Sequence, residues 1–474
     1  MLHSILFCVA ASTATAICSN CNGTYKLSSI AAPKSGTPGA QPSGTTAWGL
    51  VLNETKAAYM QNITGFGAAV TDATVVNFNK MSSTQQTNFI NAVMTSSGAN
   101  FSLIRHTIGG SDMSATNYTY DDMPAGKTDT NLTSFSLGAN GTAMAAMLAN
   151  MNTAAPAMTL LGSSFSAPGW MKRNGVLTGN GTNNNLQDTY LNSTETDYSY
   201  AWAQYFVKYI QAYQKAGAPV SAVTIQNEPL YSTASYPSMY VYDYESSLLI
   251  KNRLAPAFSQ AGITTQIWAY DHNTDHPEYP QTVLNDAGSI VNTVAWHCYS
   301  GGWNTLSQFK ANNTNVIQYM TECWTPSTQP WYNAAAFTMG PLQNWASGAM
   351  AWTLASDASN GPHLYNGCTN CTGLITINAD GSYTLNTAYY MMAQFSKYMP
   401  RNAVVLPVNG SGSDSLGETV QSVATINPDG TRSVVIMNTV QNDVWMTLNT
   451  TGGQQWSGVL PGQSTTTWVL PKAS

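Results

Sequence analysis

Short apolar runs, rich in β-branched and aromatic residues, recur along the middle of the chain. They are "ITGFGAAV" (63–70), "FSLIRHT" (101–107), "MTLLGSS" (158–164), "SAVTIQN" (221–227), "TQIWAYD" (265–271), "NTVAWHC" (292–298), "NVIQYMT" (315–321) and "GAMAWTLA" (348–355). Apolar on successive residues, they read as strands buried on both faces. Helical stretches lie between them, among them 84–96, 141–152, 197–217 and 333–346. The 197–217 stretch sets Trp202, Tyr205, Phe206, Tyr209, Ile210 and Tyr213 on one face at helical spacing. Strand-then-helix units repeated in this way predict an α/β fold, a (β/α)8 TIM barrel over 63–399. The rival is an open doubly wound sheet, but no G-x-G-x-x-G follows the first strand.

After about residue 400 the pattern changes. "VQSVATINPDGTRSVVIMNTVQNDVWMTLN" holds two strands about a Pro-Asp-Gly turn, and "WSGVLPGQSTTTWVL" continues it. Segment 400–474 is expected to form a β-sandwich. Segment 17–62 is expected to add strands to it, chiefly through 47–62, with 32–46 as a loop.

Composition narrows the partners. Of 474 residues only 8% are charged, and the formal net charge is −6. With no basic cluster, the chain lacks what binding to nucleic acid or an anionic membrane requires. The opening "MLHSILFCVAASTATA" is a short apolar run followed by small residues, with Ala14 and Ala16 in an A-x-A arrangement. It predicts a secretory signal over 1–16 and an extracellular protein, because the run is too short for the roughly 18 residues of a span. Sequons at Asn53, Asn131, Asn192, Asn312 and Asn449 agree with secretion, each a possible glycan acceptor. Beyond the signal remain Cys18, Cys21, Cys298, Cys323, Cys368 and Cys371, an even number that suggests disulfides. Cys298 and Cys323 read as buried thiols or a bridge. Six cysteines allow 15 complete pairings, and the pairing is left open. The two C-x-x-C motifs could instead form a zinc knuckle, but in an oxidising compartment disulfide bonding is the more common outcome.

Candidate chemistry follows from where the carboxylates fall. In a parallel barrel the strand C-termini share one face, and the active site sits there. Of seven glutamates, Glu54, Glu195, Glu245, Glu278 and Glu418 lie in helices or loops. Glu228 in "TIQNEPLY" ends the fourth strand and Glu322 in "YMTECW" ends the seventh. Two carboxylates facing each other suit glycoside hydrolysis, one protonated to donate to the leaving oxygen and one ionised at the anomeric carbon. Arg105, ending the second strand, is the cation expected beside the ionised one. Trp170, Trp296, Tyr299, Trp324 and Trp352 lie at or past strand ends and offer faces for sugar C–H surfaces. His106, His272, His297 and His363 also lie near strand ends, without the H-E-x-x-H or H-x-H spacing of a metal site. They are expected to orient hydroxyls or carboxylates, with no metal and no cofactor. A serine hydrolase is excluded by the missing G-x-S-x-G elbow.

The ordered series "ITGFGAAVTDA", "LIRHTIGGSDMS", "SFSAPGWMK", "TIQNEPL", "AWHCYSG", "MTECW" and "GAMAWTLASD" resembles glycoside hydrolase family 30 over nearly the whole chain after residue 16. "RHTIGGSDMS", "IWAYDHNTD" and "TECWTP" look closest to the secreted fungal endo-β-1,6-glucanases of that family. The resemblance implies a retaining double displacement, with Glu228 as acid/base and Glu322 as nucleophile. It implies that Asn227 binds the sugar 2-hydroxyl and that Arg105 and Tyr299 hold Glu322 ionised. Asp112 and Trp352 match sugar-contacting positions. Phe165 stands where relatives commonly have tryptophan, and His363 where glucosylceramidases have asparagine. Both departures speak against a glucosylceramidase-like pocket; Ala68, in place of a frequent glycine, is neutral. His297, Trp170 and Trp324 complete the expected binding set.

These readings predict a secreted, monomeric endo-acting β-1,6-glucanase whose partner is the glucan. The alternatives are a β-glucosidase, glucosylceramidase or xylanase of the same family, a non-catalytic glycan-binding protein, and a structural cell-wall protein.

Overall fold

The structure, a computed structural model, describes residues 13–181, 184–187, 198–326, 328 and 330–472. The apolar run over 1–12 and the sequon at Asn192 lie outside the described residues. The chain divides into two compact units, one centred on 66–328 and 348–386, the other on 1–65, 329–347 and 387–474.

The first unit is a barrel. Its strands, in chain order, are β1 (Gly65–Val70), β2 (Leu103–Ile108), β3 (Thr159–Ser164), β4 (Ala222–Thr224), β5 (Gln266–Ile267, resuming at Ala269–Asn273), β6 (Thr293–His297), β7 (Ile317–Glu322) and β8 (Ala346–Ala351). The order of pairing is β5–β6–β7–β8–β1–β2–β3–β4–β5. The first half of β5 pairs with β4 through Ile267, and the second half pairs with β6 from Ala269 onward, so the interrupted strand closes the ring. Helices Ser83–Met94, Gly138–Ala154 and Tyr198–Lys215 follow β1, β2 and β3. They agree with the expected stretches within a turn.

One apolar layer fills the barrel. Leu103, Leu161, Ala222, Trp268, Ala295, Tyr319 and Met350, from β2 through β8, pack in a single buried cluster. Trp268 and Tyr319 stack with centroids 4.4 Å apart and planes 4° apart. Side chains two residues further along a strand return to the same face. That rule lifts Arg105, Ser163, Thr224, His297, Thr321 and Trp352 into the next layer toward the strand C-termini. The barrel is therefore apolar below and polar above, and the polar layer is the floor of the site.

The second unit is a β-sandwich. One sheet orders Val408–Asn409, Thr46–Leu52, Val444–Thr450, Gln455–Leu460 and Lys34–Ser35. The other contains Val404–Leu406, Thr419–Ile426, Arg432–Asn438, Ser464–Leu470, Thr15–Asn20 and Ser28–Ile30. Leu50, Val434, Ile436, Met446, Leu448, Trp456 and Trp468 from both sheets share one core. The Pro-Asp-Gly turn forms as its sequence requires, with Gly430 at φ +84° donating to Asn427 C=O at 2.8 Å. Thr46–Leu52 runs parallel to Val444–Thr450, and Thr15–Asn20 runs antiparallel to Ser464–Leu470.

Cys298–Cys323 and Cys368–Cys371 are disulfides, and Cys18 and Cys21 are free thiols. Among the described residues, no helix is long and apolar enough to cross a membrane.

Candidate active site

Arg105 organises the polar layer. It is fully buried, and Nη1 donates to Glu322 Oε2 at 2.6 Å. Nη2 faces Asn227 Oδ1 (2.6 Å), Asp271 Oδ2 (2.9 Å) and Ser163 Oγ (3.2 Å). Its guanidinium lies 5.6 Å from the Trp352 ring centroid and 6.0 Å from that of Phe165. A buried guanidinium is retained only where acceptors replace its water, and here they come from β3, β5, β7 and the segment after β4.

Asp271 is the hub that sequence reasoning missed. It accepts from Arg105, Ser163 Oγ (2.6 Å), Thr224 Oγ1 (2.8 Å) and Thr321 Oγ1 (2.6 Å), and it meets His297 Nε2 at 3.0 Å. Burial works against its charge, but Arg105 and His297 outweigh burial and hold the carboxyl well below the usual range. The signal was present, since "TQIWAYD" carries an acid in an apolar run just as "YMTECW" does. Alternation from Trp268, however, would turn Tyr270 inward and Asp271 outward. A register shift between Tyr270 and His272, with φ of +79° at Tyr270 and +67° at Asp271, reverses that parity.

Glu322 enters the site by a similar irregularity. The β6–β7 register shifts between Trp296 and His297, which pairs His297 with Glu322. Both Thr321 and Glu322 then reach the polar layer. Glu228 uses a third device. β4 ends at Thr224 rather than running on to 227, and Glu228 sits beyond it at φ +47°. Backbone bonds still hold the segment, from Asn227 N–H to Ser164 C=O (2.6 Å) and from Glu228 N–H to Asp271 C=O (3.0 Å). A non-glycine residue at positive φ costs about 1 kcal/mol or more and persists only where its surroundings dictate it.

The two glutamates are close and differently served. One oxygen of each, with a His297 nitrogen, lies within a 4.8 Å group. Glu322 accepts from Arg105 and from Tyr299 Oη at 2.8 Å; Glu228 meets His297 Nδ1 at 3.1 Å. Tyr299 keeps 40% of its surface exposed while turning its hydroxyl inward. The Cys298–Cys323 disulfide joins the residues just after His297 and Glu322.

His297 spans two carboxylates, Glu228 and Asp271, and one proton decides the state of all three. Burial disfavours its charge, but Glu322 and Asp271 outweigh burial and raise it to about 10. Beside that imidazolium, burial pushes Glu228 up while His297 draws it below its usual range. Burial carries Glu322 upward against the pull of His297 and Arg105. Moving the proton from Nδ1 to Glu228 leaves a neutral acid donating to a neutral ring, with Nε2–H still directed at Asp271. The bonds survive either way, so the proton is shared within one network.

Around this centre, Phe165 and Trp352 stack at 5.7 Å and 27°, within a cluster with Met113 and Cys371 against which Trp324 packs. Asp112 is buried with Oδ1 unpartnered, and burial with repulsion from Glu322 and Glu228 pushes it up to about 7. Arg105, Asn227, Glu228, His297, Tyr299, Glu322, Asp112, Phe165, Trp324 and Trp352 are thus brought together. His363 is bonded through Nδ1 to the Leu364 carbonyl, and its loop meets the site through the Leu364 N–H to Asp112 C=O bond. Trp170 is buried, donates to the Asp121 carbonyl, and lines a cavity of about 600 Å³ with Lys127, Val176 and Gln187. None of the clustered carboxylates lines that cavity. Trp296 is wholly buried and bonded to Gln318, a core residue rather than a sugar platform. His106 is also core; its Nε2 meets Tyr209 Oη at 2.6 Å, in space that a Cβ on Gly162 would occupy.

A parallel barrel whose strand ends gather two close glutamates, an arginine and an aromatic wall defines a glycoside hydrolase. The glycosyl hydrolase family 30 TIM-barrel domain matches residues 63–399, and that family's β-sandwich domain matches 402–468. The chain belongs to glycosyl hydrolase family 30. It is 59% identical to an endo-1,6-beta-D-glucanase of Aspergillus fumigatus, over 98% of this chain and 96% of the relative. It is 54% identical to an endo-1,6-beta-D-glucanase of Trichoderma harzianum, over 97% and 94%. The solved structure of an endo-beta1,6-glucanase superimposes with a TM-score of 0.82 at 25% identity, covering 97% of this chain and 99% of that one.

Proposed function

We propose that this chain is a secreted, retaining endo-β-1,6-glucanase, with Glu322 as nucleophile and Glu228 as acid/base. The observation that carries the retaining reading is the separation of the two carboxylates, with oxygens within 4.8 Å. A retaining pair stands roughly 5–5.5 Å apart, while an inverting pair needs roughly 6.5–9.5 Å to admit water between. The linkage rests on the fungal relatives, which are named for action on 1,6-β-glucan and align along nearly the full chain.

The hydrogen bonds support the division of roles. Glu322 receives two donors, Arg105 and Tyr299, both of which favour a carboxylate. That carboxylate attacks the anomeric carbon while Glu228 delivers the shared proton to the departing glycosidic oxygen. Glu228 then removes a proton from the water that hydrolyses the glycosyl-enzyme. Arg105 occupies the Asn227 carbonyl oxygen, so the amide NH2 is left to donate to the sugar 2-hydroxyl. Secretion is supported by the N-terminal apolar run and by the two disulfides. Cleavage after Ala16 would leave Ile17–Asn20 paired with Ser464–Thr467.

The test is a product profile across β-1,3-, β-1,4- and β-1,6-glucans, with the anomer of the first product read by NMR. β-Anomers of several lengths from the β-1,6-glucan are expected. α-Anomers would overturn the mechanism; turnover of only another glucan would overturn the substrate.

A further inference from the structure

The segment after Glu228 carries a run of tyrosines, "YSTASYPSMYVYDY" (231–244), that no catalytic role has absorbed. Its first two sit at the mouth of the site. The Tyr231 N–H donates to the Glu228 backbone carbonyl at 2.8 Å, so Tyr231 closes a turn that begins at Glu228. Tyr236 packs against the cluster holding Phe165 and Trp352, and its hydroxyl is within electrostatic range of Asp112, Glu228 and Glu322. The two tyrosine rings lie 6.5 Å apart, and Tyr231 is 46% exposed. An aromatic path thus leads from the buried Phe165–Trp352 wall, through Tyr236, to the solvent-open Tyr231, whose backbone closes a turn begun at Glu228.

The direction of the path has a chemical meaning. Glu228 protonates the leaving oxygen, so the surface adjoining it is where the leaving chain lies. The ring spacing of 6.5 Å is comparable to one sugar residue. Backbone bonds brace the segment, from Gly179 N–H to Thr233 C=O at 2.6 Å and from Ser238 N–H to Leu177 C=O at 3.2 Å. A braced, exposed ring loses little freedom on stacking, which favours binding.

Resting on the proposed β-1,6-glucanase reading, we propose that Tyr231, with Tyr236 behind it, is the platform for the leaving-group glucosyl residues, so that its ring face sets the preference for long chains. The test compares Tyr231→Ala and Tyr231→Phe on two substrates. One is a β-1,6-linked glucooligosaccharide long enough to pass Tyr231. The other is β-gentiobiosyl fluoride, whose leaving group is too small to reach it. In Tyr231→Ala, kcat/KM on the oligosaccharide is expected to fall roughly ten- to fiftyfold, with fluoride turnover within about twofold of wild type. Tyr231→Phe keeps the ring and is expected to match wild type on both. Equal loss on both substrates, or loss on neither, would overturn the platform. Wild-type turnover of the fluoride with none of the oligosaccharide would overturn the substrate reading and the platform with it.

Discussion

Among the described residues two arginines are buried, one in each unit, and they are put to different uses. Arg432 in the sandwich donates to Glu54 (2.5 Å), Gln454 (2.8 Å) and the Pro471 carbonyl. Its Nε also reaches Pro471, so the whole fork is engaged. Its partners come from the segment after Thr46–Leu52, the turn before Gln455–Leu460 and the chain after Ser464–Leu470. They tie strand ends together, and Glu54 is the one carboxylate that Arg432 pairs with among the described residues. Arg105 in the barrel is less completely paired, with Nε buried and unpartnered, yet it touches Glu322, Asp271 and Asn227 together. A structural arginine is satisfied by any set of acceptors that fits. An arginine in a reaction centre is held where it tunes groups that must change charge, even at the cost of an unmet donor.

The sharpest break of this contrast is at the carboxylates that Arg105 serves. Glu322→Ala is expected to lower kcat on the order of 10⁵-fold while substrate binding persists, checked by turnover and by calorimetric titration with oligosaccharide. Glu228→Gln comes next. A loss of roughly 10³-fold on the glucan is expected, with much less on the glycosyl fluoride, whose departure needs little protonation.

The arginines themselves separate after that. Arg105→Lys is expected to reduce kcat roughly 10²-fold, because an ammonium cannot reach Glu322, Asp271 and Asn227 together. Arg432→Lys is expected to leave kcat of the folded enzyme unchanged but to cost about 2–4 kcal/mol of stability, read by denaturant unfolding. A kcat defect in Arg432→Lys would erase the distinction.

The smallest effect is on pH dependence. His297 is raised to about 10, above its ordinary value near 6.5, so the folded state keeps a proton that the unfolded chain releases. Its contribution is full below about 6.5 and is lost as pH rises through about 10. Asp271, held low, contributes the opposite way, above its ordinary value and lost as pH falls toward its folded one. Melting temperature is therefore expected to decline between pH 7 and 10 in wild type, and less steeply in His297→Gln.

Much of this was legible in the residues. Eight apolar runs alternating with amphipathic stretches determine a parallel barrel, because only strands buried on both faces tolerate such runs. Glu228, Glu322 and Arg105 stood out because charge is scarce and each interrupts an apolar strand. The change of texture near residue 400 marked the sandwich, where two-residue alternation replaces helices. Trp296, in contrast, is indistinguishable from a platform residue by type and position, and only its complete burial assigns it to the core.

Tertiary structure alone decided which side of each strand its charged residue faces. Period-two alternation places Arg105, Ser163, Thr224 and His297 above the apolar layer, and the sequence determines that much. It places Asp271 and Glu322 on the wrong face. They enter the site because β5 and β7 each slip register against β6, and Glu228 enters because its backbone takes a positive φ. Those irregularities are stabilised by partners distant in sequence, Arg105 for Glu322 and Asp271, and the Asp271 carbonyl for the Glu228 amide. No local propensity encodes a bulge whose stability comes from across the barrel.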